Sequence, residues 1–237
     1  MEGESTVKLA ILIDADNAQA STVGFLLAEV AKYGTACVKR AYGDWTGTNL
    51  KGWKDQLLTK SIQPVQQFAY THGKNATDAA MIIDAMDLLY SNRFDGFCLV
   101  SSDSDFTRLA VRIRESGLFV YGFGNRETPK PFVAACNRFL YVENLGYREE
   151  HSPRADKAVS HPERVSEAQS RIDSQLVIQL EKARHPDFDP RSYRHSKLSD
   201  MITATSLCEV TRRSPGKGKP QAVYVRAVRR AHATSAK

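Results

Sequence analysis

Long apolar runs are missing from this chain. The first one, LAILI at positions 9 to 13, closes at Asp14, too short for a secretory core and far short of the roughly 20 residues that a membrane-spanning helix needs. The four cysteines, Cys37, Cys98, Cys136 and Cys208, lie far apart and form no CxxC pair, so neither a disulfide framework nor a cysteine zinc site is expected. None of the six histidines has metal-ligand spacing. No Ser/His/Asp or Cys/His arrangement stands out either, which removes the usual candidates for a side-chain nucleophile. The Gly122-Phe123-Gly124 run lacks a third glycine and does not follow the first strand-like segment, so it is a poor dinucleotide fingerprint. The expectation is a soluble protein of the reducing cytoplasm.

What the chain does have is an uneven distribution of charge. Residues 1 to 150 carry 16 Lys+Arg against 18 Asp+Glu, a net of −2, while residues 151 to 237 carry 17 against 9, a net of +8. An acidic module joined to a strongly basic one suits a protein whose basic part holds a polyanion on which the acidic part acts. At 237 residues and 42% hydrophobic, the chain can bury one full core and a second small one. Between the halves, Glu149 to Ser170 carries Pro153 and Pro162 without a sustained apolar period, which reads as a linker. The expected layout is a first domain over 1–148, a linker over 149–170 and a second domain over 171–237.

The first half alternates strand-like and helix-like runs. Strands are expected at 9–13, 36–42, 64–69, 96–100 and 118–123, with helices over 21–32, 51–60, 78–90 and 106–115 between them. Five strands interleaved with helices predict an open, mainly parallel α/β sheet. In such sheets ligands collect beyond the carboxyl ends of the strands, where the strand order reverses.

Two strand-like runs end there in knots of acids. LAILI runs into Asp14-Ala15-Asp16-Asn17, and FCLV at 97 to 100 runs into Ser101-Ser102-Asp103-Ser104-Asp105. Asp78, in the first turn of a helix that follows a strand, joins them from the same edge, although an acid there also complements the helix dipole. Carboxylates crowded together repel and lose hydration, a cost of several kcal/mol, roughly, that a divalent metal would offset. Asp105 is expected as a ligand or water-holder, Asp16 as the cap of the next helix, and Asp84 as a secondary candidate one face away. Asn17 can hydrogen-bond a phosphate or a carboxylate, and Ser101, Ser102 and Ser104 can orient carboxylates. Lys74 is a candidate phosphate contact, and His72 stands close to it in sequence. Hard oxygen ligands on an open edge point to Mg²⁺ or Mn²⁺, which lowers the pKa of a bound water for attack on phosphorus.

The segments LIDADN, GKNATDAAMIIDAMDLL and FCLVSSDSDFTRLAVRIRESGLFVYGFG together resemble the NYN domain, a branch of the PIN-like metal-dependent ribonucleases. The resemblance covers residues 8 to about 145. It implies that Asp14, Asp78 and Asp103, with Asp105 as a fourth, bind the metal, and that Asn17 matches the family's asparagine after the first acid. Many relatives have glycine where Ser102 stands, so this side chain bears on access to the metal.

The basic half has its own pattern. Ile172, Leu176, Val177 and Leu180 share a helical face, Phe188-Asp189-Pro190 makes a turn, and a further helix is expected over 198–204. Strand-like segments at 207–212 and 222–228 flank the basic tip SPGKGKPQ. Helices followed by a β-hairpin wing predict a winged helix. The run FDPRSYRHSKLSDMI with LCEV and VYVRAV is similar to the OST-HTH/LOTUS domain, which implies RNA binding, with structured or G-rich forms suspected, and in some members protein binding. Arg194, Lys197, Arg212, Arg213, Lys217 and Lys219 would then contact phosphates. Three readings stand at this point: a ribonuclease that works through Mg²⁺ or Mn²⁺, an RNA-binding or scaffolding protein that does not cut, and a phosphoesterase that acts on a small nucleotide or a DNA flap, since a metal-activated water does not need the ribose 2′-OH.

Overall fold

The computed structural model describes residues 6–48, 50–67, 76–146, 185–204, 208–213 and 222–227, the last two stretches by their backbone alone. The expected helix over 172–183, the linker, His72, Lys74, Lys217 and Lys219 lie outside the described residues. The described part divides into two compact units, one of residues up to Gly146 together with His185–Asp187, the other from Phe188 onward.

The first unit is built in the order β1 (Lys8–Asp14), α1 (Val23–Val30), β2 (Thr35–Gly43), α2 (Lys54–Thr59), β3 (Gln63–Gln66), α3 (Ala76–Tyr90), β4 (Gly96–Val100), α4 (Thr107–Glu115), β5 (Phe119–Gly124), α5 (Lys130–Ala135) and β6 (Arg138–Tyr141). Its six strands pair in parallel in the order β3-β2-β1-β4-β5-β6. The sheet is therefore wound in two directions from its centre, and the reversal falls between β1 and β4. Those two strands are the most apolar, and all five residues of β4 are buried, as a strand covered on both faces requires.

One core packs α3, α4 and α5 against the sheet through Met81, Leu109, Ile113 and Phe132. A second packs α1 and the turn before α2 on the other face through Val23, Leu26, Val30 and Trp53. Fully burying each such large side chain stabilises the fold by about 1.5–3 kcal/mol. Gly117, just after α4, has φ +82°, a left-handed conformation that glycine adopts without a Cβ clash and that turns the chain back into β5.

The sixth strand was not among the five expected from the sequence. Arg138–Tyr141 is only four residues long, and prolines 129 and 131 stand shortly before it. Its strand character comes from its partner β5 and from Phe139 and Leu140, both about 1% exposed. The free edge of β6 is partly met within the same unit, where Phe139 N–H donates to the carbonyl of Pro186 (2.8 Å) and Tyr141 Oη donates to Asp187 (2.8 Å).

In the second unit, Asp189 caps a 3₁₀ turn over Pro190–Tyr193 by accepting from Arg191 N–H, and also pairs with the Arg191 guanidinium at 2.6 Å. Helix α6 (Leu198–Ala204) follows as expected. Strands β7 (Cys208–Arg213) and β8 (Ala222–Ala227) form the antiparallel hairpin of the predicted wing. No helix among the described residues is long and apolar enough to cross a membrane.

Candidate functional site

The register of the central strands brings the two acid knots to one level. Ile13 pairs with Val100, so the next residues, Asp14 and Ser101, meet at the carboxyl edge. Asp14 is fully buried. It accepts hydrogen bonds from Ser101 Oγ (2.8 Å), Asn17 Nδ2 (2.7 Å) and Asn17 N–H (3.3 Å). Burial pushes its pKa up, and the bonds from Asn17 and Ser101 pull against that shift. Ser101 Oγ in turn accepts from Asp103 N–H (3.1 Å), so one hydroxyl joins the ends of β1 and β4.

Beyond Ser101 the chain makes a short 3₁₀ turn over Ser104–Phe106. Asp103 is its N-cap and accepts from Asp105 N–H at 2.9 Å. The capping role thus falls to Asp103. Asp105 stands in the first turn, which leaves its carboxylate on the side of the cleft rather than at the helix end. Asp78 enters from the first turn of α3.

One carboxylate oxygen from each of Asp78, Asp103 and Asp105 lies within 4.8 Å of the other two, the arrangement that a single cation requires. At 4.8 Å an ionised pair repels by about 3.5 kcal/mol if the effective dielectric is about 20. The cost is visible in Asp78, which is 9% exposed. Its pKa rises from 3.8 to about 6, first through desolvation and then through the charges of Asp14, Asp103, Asp105 and Asp16. Asp14 is outside the triangle, yet among those four charges it acts most strongly on Asp78. Asp103 is constrained by a main-chain donor and the ligand atoms are hard oxygens, so the set is compatible with a hard divalent cation.

Other expected residues fall elsewhere. Asp16 does not cap the following helix. Gln19 occupies the cap position of the 3₁₀ turn at Ala20–Thr22 without a side-chain bond, and Asp16 instead accepts from Thr77 Oγ1 (3.0 Å) in the first turn of α3. The loop after Asp14 is held by its own contacts, including Ala18 N–H to Asp14 O (2.9 Å), so the helix begins later than Asp16 could reach. Asp84 turns away from the cleft and takes Arg40 Nη1 and Tyr42 Oη, both at 2.8 Å, tying α3 to β2. Asn17 is occupied by Asp14, and Ser102 Oγ accepts from Asn125 N–H (3.0 Å). Arg194 and Lys197 belong to the second unit, in the turn between Tyr193 and α6. For Arg212 and Arg213 only the strand backbone is described.

Sequence reasoning missed Asn125 and Glu143, which border the same edge beyond β5 and β6. Their only signal is position just after a strand, and β6 itself was not expected. Gly124 is the contact that draws this loop in. A Cβ there would meet Thr128 Oγ1 at 2.5 Å and the Ser101 carbonyl at 2.8 Å.

The NYN domain family model matches residues 8–143, and the OST-HTH/LOTUS domain model matches residues 178–220. Among solved structures, the chain is similar to a protein of unknown function from Vibrio parahaemolyticus RIMD 2210633. The TM-score is 0.50 at 18% identity, covering 60% of this chain and 96% of that one, a likeness of fold alone. No curated protein matches the chain.

Proposed function

The chain belongs to the NYN-domain family, and on that premise we propose that it is a ribonuclease dependent on Mg²⁺ or Mn²⁺ held by Asp78, Asp103 and Asp105. The observation that carries this reading is the triangle of carboxylate oxygens within 4.8 Å of one another. A cation held there would lower the pKa of a water and polarise the phosphodiester. The chain's own groups prepare the place. Asp105 N–H orients the Asp103 carboxylate, Ser101 joins Asp103 to Asp14, and the buried charge of Asp14 deepens the negative potential on Asp78. Asp14 thus serves the centre from beside it.

Substrate is drawn to the protein by the basic C-terminal part, with its net of +8 over residues 151–237. Arg194, Lys197, Arg212, Arg213, Lys217 and Lys219 supply phosphate contacts in this reading, which is the binding role proposed for the OST-HTH/LOTUS domain. The protein would then work in the cytoplasm on RNA, binding with one domain and cutting with the other.

The test is incubation of the full chain with labelled RNA, with Mn²⁺, Mg²⁺ or EDTA, beside the Asp78→Asn variant. Cleavage that needs added metal and is lost in the variant is expected. Cleavage in EDTA, or full activity in the variant, would overturn the proposal.

A further inference from the structure

Where the loops after β1 and β4 part toward opposite faces of the sheet, the carboxyl edge opens into a pocket of about 260 Å³. None of the three acids of the triangle lines it. This is the crevice in which doubly wound sheets hold nucleotides. Val142 supplies apolar surface above the buried Val100 and Phe123, and Asn17 and Ser101, the two residues that hold Asp14, border it on the side of the acidic centre. A flat ring with a polar edge matches that lining.

Two polar groups at its rim are fixed by backbone donors. Glu143 Oε1 accepts Arg126 N–H (3.0 Å), and its other oxygen makes no hydrogen bond among the described residues. Asn125 Oδ1 accepts Glu127 N–H (3.0 Å), which orients the amide and leaves its NH₂ without a partner among the described residues. The pocket therefore offers a held carboxylate acceptor and a held amide donor. Guanine presents the complement, adjacent N1–H and N2–H donors with an O6 acceptor beside them. Adenine and cytosine set an acceptor next to their amino group, which a carboxylate repels, and uracil has one N–H between two carbonyls.

We infer that this pocket is a guanine-selective nucleoside site, seating a guanosine next to the phosphate that the acids receive. The placement beside a scissile phosphate rests on the proposed ribonuclease function, whereas guanine binding itself does not. Built around a carboxylate and an amide, the site would prefer GMP over the other nucleotides by about tenfold or more.

The experiment is an NMR titration of the full chain with GMP, AMP, CMP and UMP in EDTA, following the side-chain amides of Asn125 and Gln19, which both line the pocket. GMP is expected to shift these signals and to saturate at the lowest concentration. Glu143→Gln keeps an acceptor for Arg126 N–H but offers guanine a clashing donor, so it should erase the preference. Asn125→Asp keeps the bond to Glu127 N–H and should do the same by repelling O6. Four indistinguishable nucleotides, no shift with any of them, or a preference that survives both variants would each overturn the inference. Because EDTA removes catalysis from the readout, a protein that failed to cut RNA would still give the guanine result.

Discussion

At the end of β1, Asp14 is fully buried and accepts three hydrogen bonds, whereas at the end of β4 Asp103 is half-buried, accepting from Asp105 N–H within the local turn, and Asp105 is exposed. Both stretches are acids following an apolar strand, and both arrive at the same edge. Their surroundings divide the work. Asn17 and Ser101 take three of the roughly four acceptor sites of Asp14, and in the proposed reading it holds the edge together and projects charge. The later pair, with Asp78, brings one oxygen each within 4.8 Å of the others. A carboxylate's value as a ligand depends on how much of its bonding is already satisfied, which residue type does not reveal.

The sharpest break in this comparison comes from removing one charge on each side. Asp78→Asn should lower RNA cleavage by at least about 100-fold, by analogy with the cost of disturbing the groups that support a metal. It should also stabilise the metal-free protein at neutral pH. The Asp78 pKa is higher in the fold than its ordinary value, about 6 against 3.8, so between those values the native state binds more protons than the unfolded one. Stability of the metal-free protein therefore falls as pH rises through that window, by no more than about 3 kcal/mol for this group. Melting curves in EDTA from pH 4 to 7 check this sign, and the slope should flatten in Asp78→Asn. Mn²⁺ affinity should run the other way, weakening below about pH 6 as protons compete for the same oxygens.

Asp14→Ala should act mainly on the fold. It leaves the Ser101 hydroxyl and the Asn17 amide without their acceptor, at a cost of about 2–3 kcal/mol, measured by urea unfolding. If Asp14→Ala instead left stability unchanged and only abolished metal binding, the division drawn between the two knots would be wrong. Asp84→Ala sharpens the contrast along a single helix. Its partners Arg40 and Tyr42 are on β2, so a loss of about 1 kcal/mol with Mn²⁺ affinity intact is expected for this part-exposed pair. The smallest effect belongs to the second unit. Lys197→Ala should weaken RNA binding evenly across sequences and reduce the salt slope by about 1, read by titrations at several salt concentrations.

Much of this architecture is legible without coordinates. Each of the five expected strands has a counterpart, with β3 ending at Gln66 and residues 68–69 of that expectation lying outside the described residues, because buried parallel strands leave continuous apolar runs such as FCLV and LAILI, and the helices between them show their own spacing. β6 escaped notice because four residues carry too little periodicity, and its pairing with β5 supplies the rest. The cluster of Asp78, Asp103 and Asp105 could be expected from their positions after strands. The hydrogen bond that buries Asp14 against Ser101 could not, nor could the bond from Thr77 that takes Asp16 away from its expected cap. Each depends on partners 61 or 87 residues away in the chain.

Local pattern in the amino-acid order determined which segments become strands and helices, that the acids gather at one edge, and that a basic region follows an acidic one, since periodicity and charge are carried by neighbouring residues. Only the tertiary structure decided which acids bring oxygens within reach of one cation, that the charge on Asp14 lifts the pKa of Asp78, and that Glu143 and Asn125 share a pocket with Ser101. Those outcomes are set by burial and by hydrogen bonds between strands distant in sequence, and neither has a local signature.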